Sequence, residues 1–473
     1  MAGLEGPGPG AAVSHSVAVV GGGWAGMSAA VAASGPGITL TVFEAAREPG
    51  GRARALELER PDGQRALLDN GQHILIGAYR ETLACMKQVG VPLSRALLAL
   101  PLGMPFPDGS GVETPEWAAG WPAAPALLAA IGAASGWRWS DRLALLRAGA
   151  RWHRQRFTCP AGQTVQDVCA GLTTRVMADL IEPLCVSALN LRPGQASGQV
   201  FLRVMHDALL GPGFGAWRAS TLLLPRVDLG TLFPRTAARW LRDRMDDAFD
   251  LRLGSRVHAI RPAGSRWRLT TAGEDTCFDQ VIWATSAGPA ARAMHDAVLA
   301  AQASPDGRIT QAIGDWAASC ARLPFTAIGT VYAWAPGLRL PRPMLALRDG
   351  PGAPAQFAFD RGQLAPQDPA MQGVLAFVAS ASEGDREQIE RDVLRQARHQ
   401  LGLESLQPLQ TVIEKRATFA CLPALERPAI EIAPGLCAAG DHVEGPYPAT
   451  LEAAVRSGVA AGRLVRQRID ATA

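Results

Sequence analysis

The sequence predicts an α/β fold organised around a parallel sheet, and three observations support this prediction. Near the start of the chain, residues 17–44 read as a strand, a glycine-rich turn, a helix, a second strand and an acid. Near its end, residues 436–469 read as a strand, a Gly-Asp pair and an amphipathic helix. Hydrophobic residues make up 48% of the chain and charged residues 19%, which is an ordinary balance for a globular protein with a large core.

Length, charge and cysteine usage narrow the class of protein. A chain of 473 residues has room for about three domains, or for two large ones. The net charge of +3 excludes the strong basic field with which nucleic-acid-binding proteins attract phosphates. The eight cysteines form no Cys-x-x-Cys pair and no zinc-type cluster with histidine, so we expect reduced thiols and no metal site. Residues 1–12 lack the features of a signal peptide, so we expect a disordered leader on a cytoplasmic protein.

The first functional motif lies directly after the first apolar strand. Gly21, Gly23 and Gly26 match the pattern Gly-x-Gly-x-x-Gly, with Trp24 and Ala25 between the last two. The first glycine permits a tight turn, the second lets a pyrophosphate approach the backbone, and the third lets the helix pack closely on the strand. Free N–H groups at the start of the helix attract phosphates. The order of elements therefore predicts a dinucleotide site.

Glu44 follows the second strand, at residues 38–43, and lies 23 residues after Gly21. This spacing suits a carboxylate that binds the ribose hydroxyls of a dinucleotide. A carboxylate at this position repels a 2′-phosphate, so the motif disfavours NADP. The motif does not distinguish FAD from NAD.

A second glycine turn, with the sequence GGRAR, occupies residues 50–54. Two glycines and two arginines suit close approach to an anionic diphosphate. The turn resembles the Gly-Gly-Arg-x-Arg signature of the flavoproteins in the amine oxidase and phytoene desaturase superfamily. In that superfamily the glycine backbone and the arginine contact the cofactor, so the resemblance implies that Gly51 and Arg52 bind FAD.

Two stretches further along the chain extend the resemblance. Residues 251–260 read as a strand where the chain returns to the dinucleotide-binding unit. In the superfamily a hydrophobic residue here, matched by Val257, backs the adenine. Residues 277–285 resemble the superfamily strand that ends in Ala-Thr. An ordinary second hairpin of the sheet gives the same pattern, so these stretches only corroborate the FAD prediction.

The C-terminal end of the chain carries the most informative match. An apolar strand leads into Gly440 and Asp441, and an amphipathic helix follows over residues 450–469. The resemblance implies that Gly440 and Asp441 approach the ribityl or diphosphate part of FAD and that the helix start, at Thr450 and Leu451, points at the flavin. A helix N-terminus stabilises the negative charge of a reduced flavin by roughly 0.3–1 kcal/mol. No cysteine lies in the neighbouring loop, so we expect noncovalent FAD.

Six longer stretches resemble one branch of this superfamily, the squalene-associated FAD-dependent desaturases, also called hydroxysqualene dehydroxylases. They are residues 68–75, 77–82, 183–190, 224–229, 414–419 and 440–452. The resemblance implies removal of the allylic hydroxyl of hydroxysqualene to give squalene, a step of bacterial hopanoid or C30 carotenoid synthesis. Reduced FAD is then the hydride donor and the substrate is a long apolar isoprenoid. The electron donor that reduces FAD is not identified by the sequence.

A dry, apolar site of this kind needs a proton source, and three residues are candidates for a catalytic role. His73 follows the segment that the resemblance places beside the flavin, and imidazole titrates near neutral pH. Glu444 and Tyr447 lie in the loop before the C-terminal helix. A purely structural role is the alternative for each. Amine-oxidising relatives carry an aromatic residue where this chain has Thr450, so the sequence disfavours amine oxidation.

An uncharged stretch at residues 117–137 is long enough to span a bilayer, but two prolines and many small residues argue against a span. The next stretch, residues 137–156, combines six arginines with three tryptophans. This composition is typical of a helix at a membrane surface, so we expect peripheral contact with the inner face of the cytoplasmic membrane. The alternative is a buried helical hairpin over the substrate tunnel, with a solvated basic face.

The predicted fold class is thus α/β, with a Rossmann-type FAD-binding domain similar to those of glutathione reductase and amine oxidase, and a discontinuous α+β substrate domain. We expect the FAD-binding domain to comprise residues 13–80, 225–295 and 411–473, and the substrate domain to comprise residues 81–224 and 296–410. Two other functions stay open. One is a carotenoid or phytoene desaturase that uses the scaffold oxidatively. The other is a flavin-free lipid-binding protein like the Rab GDP-dissociation inhibitors.

Overall fold

The computed structural model describes residues 14–118, 120–301 and 307–471, so the predicted disordered leader, residues 1–12, lies outside the described residues. The described strands are β1 (His15–Val20), β2 (Ile38–Phe43), β3 (Ala55–Glu59), β4 (Arg65–Asp69), β5 (Leu75–Ile76), β6 (Leu97–Leu100), β7 (Gly103–Pro105), β8 (Gly111–Glu113), β9 (Leu222–Pro225), β10 (Phe249–Arg252), β11 (Ala259–Ala263), β12 (Arg266–Thr270), β13 (Asp275–Phe278), β14 (Gln280–Trp283), β15 (Phe325–Trp334), β16 (Met344–Ala346), β17 (Phe357–Asp360), β18 (Val374–Ser380), β19 (Gln407–Phe419), β20 (Glu431–Ala433) and β21 (Leu436–Ala438). The described α-helices are α1 (Trp24–Ala33), α2 (Arg80–Gln88), α3 (Leu93–Ala96), α4 (Ala123–Ala133), α5 (Trp139–Arg154), α6 (Val165–Val168), α7 (Thr174–Val176), α8 (Glu182–Leu189), α9 (Gly198–Leu210), α10 (Leu229–Leu232), α11 (Pro234–Met245), α12 (Ala287–Ala301), α13 (Gly307–Ala321), α14 (Arg361–Leu364), α15 (Arg386–Leu401) and α16 (Leu451–Asp470).

A six-stranded sheet in the order β10-β2-β1-β14-β21-β20 forms the centre of the first unit. The five strands from β10 to β21 pair in parallel, and β20 at the edge is antiparallel. Both faces of β1 are buried: Val17 and Val19 belong to the hydrophobic cluster that includes α1, and Ala18 and Val20 belong to the cluster on the other face. Burial of both faces explains why these strands are nearly continuous apolar runs. The sheet confirms the predicted α/β fold class.

The first glycine turn connects β1 to α1. Gly21 has a φ angle of +115°, and a Cβ atom there would lie 2.7 Å from the carbonyl oxygen of Ala284. A Cβ atom on Gly26 would lie 1.8 Å from the carbonyl oxygen of Gly21. Both positions therefore require glycine, and they set how closely α1 packs against the sheet.

A five-stranded antiparallel sheet in the order β16-β17-β18-β15-β19 is the largest sheet of the second unit. The predicted domain boundary at residue 411 falls inside β19, which pairs with β15 along its whole length. We therefore propose that the chain returns to the first unit after Phe419. Smaller sheets accompany these two, among them β5-β9-β6.

Two stretches predicted as single strands are divided in the structure. The prediction of one strand over residues 251–260 is wrong, because the chain leaves the six-stranded sheet after Arg252 and begins β11 at Ala259. Residues 277–285 likewise contain the end of β13 and all of β14. The break between them is at Asp279, whose carboxylate accepts hydrogen bonds from Ser16 at the start of β1.

The C-terminal helix α16 packs along α1. A Cβ atom on Gly458 would lie 2.2 Å from the carbonyl oxygen of Ala25, and one on Gly462 would lie 2.5 Å from that of Ala29. Small residues therefore let the two helices approach more closely than larger side chains would allow. This contact holds the start of α16 beside the first glycine turn.

The stretch predicted to contact a membrane contains α4 and α5. Trp137 and Trp152 are buried, whereas Trp139 is 76% exposed. Arg142 donates hydrogen bonds to two carbonyl groups at the end of α4, and this ties the two helices together. None of the described helices is long and apolar enough to cross a membrane. The hairpin is thus partly buried, and it also presents large apolar side chains to solvent.

Candidate functional site

A cavity of about 790 Å³ lies where the carboxyl ends of the parallel strands meet the second unit. This volume is within the ~300–1,000 Å³ of small-molecule sites. Residues that follow β1, β2, β14 and β21 line one end of the cavity, which is where parallel sheets bind their ligands. Side chains of β9, α8, α9 and the five-stranded sheet line the other end.

The two predicted glycine turns meet at the sheet end of this cavity. A Cβ atom on Gly51, whose φ angle is +67°, would lie 3.2 Å from the Cα atom of Gly23. The backbone N–H of Gly50 donates to the carbonyl oxygen of Gly22 at 3.0 Å. The crossing leaves a backbone cradle without side chains, into which a diphosphate fits.

The remaining residues of the first glycine motif have two different roles, since some line the cavity and one packs against the turn. Gly21, Trp24 and Ala25 line the cavity with Gly23. Gly26 does not line it, because this residue packs against the turn itself. Its predicted part in binding is therefore indirect, through the position of α1.

Glu44 lies at the end of β2 and lines the cavity. Its Oε2 atom accepts the backbone N–H of Gly22 at 2.7 Å, and its Oε1 atom accepts that of Ala46 at 2.8 Å. These bonds fix the carboxylate beside the glycine cradle. Each oxygen still has a free lone pair for a ribose hydroxyl.

Arg52 and Asp441 come from opposite ends of the chain and form an ion pair in the cavity wall. Arg52 also donates to the carbonyl oxygen of Ala417 at 2.7 Å. Burial of the Asp441 carboxyl opposes its ionisation, but the charge of Arg52 prevails and holds the pKa of Asp441 well below its usual range. This ion pair holds the second glycine turn against the Gly-Asp pair that follows β21. Gly440 of that pair also lines the cavity.

The start of α16 faces the same space, since Thr450 and Leu451 both line the cavity. The hydroxyl of Thr450 accepts the backbone N–H of Ala453 at 3.1 Å and so caps the helix. Ala449, just before it, has a φ angle of +60°, which is rare for a residue with a side chain. Val257 lines the cavity from the segment between β10 and β11.

The structure separates the three catalytic candidates. His73 and Tyr447 both line the cavity. Glu444 is exposed on the loop and does not line it, so the structure does not bring this candidate to the cavity. The loop turns outward there: the backbone N–H of Glu444 bonds to the carbonyl oxygen of Pro428, and the carbonyl oxygens of Val443 and Gly445 accept from Arg427.

The two cavity candidates differ in what they can do with a proton. Burial lowers the pKa of His73 to about 4, so its imidazole is mainly neutral at pH 7. Burial and a hydrogen bond to Asp207 raise the pKa of Tyr447 to about 12. Tyr447 therefore holds its proton at neutral pH.

Sequence reasoning missed two polar residues of the cavity. Asp207, on α9, lines it and accepts a hydrogen bond from the hydroxyl of Tyr447. Asn190 ends α8 in a left-handed conformation, and its side chain donates to Thr326 at 2.7 Å and accepts from the backbone N–H of Ala381 at 2.6 Å. For Asp207 the sequence offered one signal, because Arg203 lies four residues before it on one helix and side chains at this spacing can pair.

The end of the cavity away from the glycine turns is mainly apolar. Its aliphatic and aromatic lining residues include Ile74, Leu102, Met104, Leu184, Leu209, Leu222, Ile328, Met344, Phe357, Phe359 and Val378. An apolar chamber joined to a phosphate-type cradle suits a hydrocarbon substrate beside a dinucleotide. Among the described residues, no group of three or more histidine, cysteine, aspartate or glutamate side chains is placed to hold a metal ion.

Comparison with solved structures shows the same fold. An oxidoreductase from Methanosarcina mazei matches with a TM-score of 0.67 at 15% identity, over 94% of this chain and 99% of that chain. Reduced UDP-galactopyranose mutase matches with a TM-score of 0.65 at 13% identity, over 97% and 94%. Cyclohexylamine oxidase from Brevibacterium oxydans IH-35A matches with a TM-score of 0.61 at 17% identity, over 97% and 100%.

Comparison with curated sequences gives two similar proteins, both named hydroxysqualene dehydroxylase. The protein from Rhodopseudomonas palustris is 26% identical, over 96% of this chain and 99% of its own length. The protein from Sinorhizobium fredii is 25% identical, over 94% and 96%. The resemblance to hydroxysqualene dehydroxylases predicted from sequence is therefore confirmed. The family of flavin-containing amine oxidoreductases matches residues 24–466, so the chain belongs to this family of flavin oxidoreductases.

Proposed function

We propose that the protein is an FAD-dependent hydroxysqualene dehydroxylase, which reductively removes an allylic hydroxyl to give squalene for hopanoid or other C30 isoprenoid synthesis. The observation that supports this most is a continuous cavity that joins a dinucleotide cradle to an apolar chamber, with the neutral phenol of Tyr447 in its wall. The names of the two similar proteins point to the same substrate.

The cofactor in this proposal is noncovalent FAD. The backbone of Gly21, Gly23 and Gly51 would hold its diphosphate, and Glu44 its ribose hydroxyls. Asp441, fixed by Arg52, would accept hydroxyls of the ribityl chain. The start of α16 would face the flavin pyrimidine, where its dipole favours negative charge.

Bound FAD in its reduced form would supply the hydride, and the chain supplies position, dryness and a proton. The apolar chamber holds the hydrocarbon and keeps water from the reacting carbon. Tyr447 keeps a proton on its Oη atom at neutral pH, at the point where the chamber meets the start of α16. His73 is neutral there and would accept or donate a hydrogen bond without adding charge.

We also propose that the α4–α5 hairpin docks on the inner face of the cytoplasmic membrane. Six large apolar side chains on or beside it are exposed: Trp117, Trp121, Leu128, Trp139, Leu143 and Leu146. Arg138, Arg147 and Arg154 are exposed in the same stretch and suit anionic lipid headgroups. A small cavity under α4 shares Leu102 and Leu184 with the main cavity, which suits delivery of a membrane-borne substrate.

Product analysis tests this function. Purified protein is photoreduced without oxygen, mixed with hydroxysqualene and extracted. We expect squalene, and none from a matched sample kept oxidised. Conversion of phytoene or squalene to more unsaturated products by the oxidised sample would support a desaturase instead. A purified protein without flavin would support the lipid-binding alternative.

A further inference from the structure

Asp207 is a charged side chain at the boundary between the apolar chamber and the protein surface. It lies on α9 and is 8% exposed. One edge of its carboxylate meets the cavity residue Tyr447, and the other meets His206, whose side chain is 44% exposed. A carboxylate in such a position is expected to have partners, because burying an unpaired charge costs free energy.

The carboxylate of Asp207 has three partners. Its Oδ2 atom accepts the hydroxyl of Tyr447 and lies 2.5 Å from Nε of Arg203. Its Oδ1 atom lies 2.6 Å from Nδ1 of His206. The chain of contacts thus runs from a solvent-exposed imidazole, through a buried carboxylate, to a phenol on the cavity wall.

We propose that His206, Asp207 and Tyr447 form a proton path from solvent to the hydroxyl that leaves the substrate. This inference rests on the proposed function, because reductive loss of a hydroxyl as water consumes one proton in addition to the hydride from the reduced flavin. His206 and Asp207 are positioning residues in this proposal, since they act on the substrate through Tyr447.

The proton balance of the path is simple. A hydronium ion of the solvent protonates His206, and the imidazolium transfers a proton from Nδ1 to Oδ1 of Asp207, which leaves a neutral imidazole and a neutral carboxyl. Tyr447 turns its Oη proton from Asp207 to the substrate hydroxyl and becomes a phenolate, the carbon–oxygen bond breaks with its electron pair on oxygen, and water leaves. The Asp207 carboxyl then turns its proton toward the Tyr447 oxygen, passes it to the phenolate and is ionised again. One proton has moved from solvent to the leaving water, and all three side chains return to their starting states.

Side chains at both ends of the path contact Tyr447 and His206. Arg203 and Arg456 lie over the ring of Tyr447, at 5.7 and 5.6 Å from its centroid, and would stabilise a transient phenolate. On the solvent side, His206 packs edge-on against the ring of Phe157, with the ring centroids 5.3 Å apart. The ring of Phe157 also contacts His153, and no hydrogen bond or ion pair among the described residues joins His153 to Asp207.

His153 packs against Phe157 as His206 does, so it provides a matched control for a chemical-rescue experiment. The reduced holoenzyme is mixed with hydroxysqualene, and the rate of flavin oxidation is followed against pH. In His206→Gln we expect a fall of about 10²-fold, the lower end of the effect of a general acid, and recovery on addition of imidazole. His153→Gln should keep the parent rate. A His206→Gln variant with the parent rate, or one that imidazole does not rescue, would overturn the path.

A second readout needs no substrate and so separates this inference from the proposed function. The chain has three tyrosines, which allows their signals to be resolved after ¹³Cζ-tyrosine labelling. Protonation of His206 should shift the Tyr447 resonance of the holoprotein, and this step should vanish in His206→Gln. Tyr79 and Tyr332 serve as internal references. Absence of the step in the parent protein, or its persistence in the variant, would overturn the coupling even if squalene is formed.

Discussion

At the scale of single residues, the site depends on carboxylates whose partners decide their chemistry. Glu44 is fixed by two backbone N–H groups, Asp441 by a guanidinium, and Asp207 by three side chains. The partners of Asp441 and Asp207 lower the pKa values of both carboxyls, so both are ionised in the resting protein. Glu44 and Asp441 face the dinucleotide cradle, and Asp207 faces the apolar chamber.

Replacement of Glu44 should weaken FAD binding. Glu44→Ala removes a charge-assisted hydrogen bond to a ribose hydroxyl, which is worth about 1.5–3 kcal/mol. Fluorescence titration of the apoprotein with FAD measures this loss. Glu48→Ala is the control, because this exposed acid lies four residues further on and outside the cavity. Equal affinities of the Glu44→Ala variant and the parent protein would refute the ribose assignment.

Because the imidazole of His73 is neutral in the folded protein, it should make the free energy of unfolding depend on pH. Its folded pKa of about 4 is below the usual 6.5, so the unfolded chain binds the extra proton between these pH values. Stability is therefore lost as pH falls from about 6.5 to about 4, by up to about 3 kcal/mol. The raised pKa of Asp69, about 7 through burial, acts in the opposite direction, so the difference between His73→Gln and the parent protein is the quantity to measure. Parallel stability curves of the two proteins in urea, from pH 7 to 4, would contradict the assigned burial.

At the scale of elements, two helix pairs carry most of the functional argument. α1 and α16 bring an early and a late segment of the chain to the dinucleotide cradle, and α4 and α5 form a hairpin that presents apolar side chains to solvent. The sequence predicted α1, α16 and a helix over residues 137–156 from periodicity and composition, because these are local properties, but it did not predict that α1 packs against α16. It could not show that Trp137 and Trp152 are buried while Trp139 is exposed, since this depends on what packs against each helix.

Close packing of α1 against α16 predicts opposite effects of two glycine-to-alanine changes. Gly458→Ala places a methyl group 2.2 Å from the carbonyl oxygen of Ala25, so we expect a loss of roughly 1–3 kcal/mol of stability. Gly149→Ala in α5 meets nothing within 4 Å and should stabilise the helix by about 0.5–1 kcal/mol. Urea unfolding of the two variants measures both. A neutral Gly458→Ala would show that the two helices can separate without cost.

Membrane docking through α5 should depend on its exposed arginines. Each basic residue near an anionic surface contributes about 1 kcal/mol, so Arg138, Arg147 and Arg154 replaced together by glutamate should abolish sedimentation with anionic vesicles. Arg142 is left intact because it ties α4 to α5. The control changes three exposed arginines elsewhere, Arg239, Arg242 and Arg391, to glutamate. If both triple variants lose vesicle binding to the same extent, the net charge of the protein governs binding and the exposed surface of α5 does not.

At the scale of the whole molecule, function arises from residues that are distant in sequence. The glycine turns and the strands beside them could be predicted because a few adjacent residues determine them. The Arg52–Asp441 pair joins positions 389 residues apart, and only the folded sheet brings them together. Glu444 and Tyr447 lie three residues apart in one loop, yet one is exposed and the other lines the cavity. Loop direction depends on tertiary contacts, so the sequence could not separate them.

The direction of electron flow tests the central claim most directly. The holoprotein is photoreduced without oxygen and titrated with hydroxysqualene, while the visible absorbance of oxidised flavin and the amount of squalene are measured together. The account predicts that each equivalent of hydroxysqualene restores one equivalent of oxidised flavin and yields one equivalent of squalene. A reduced protein that stays reduced with hydroxysqualene, combined with an oxidised protein that becomes reduced with squalene or phytoene, would contradict it.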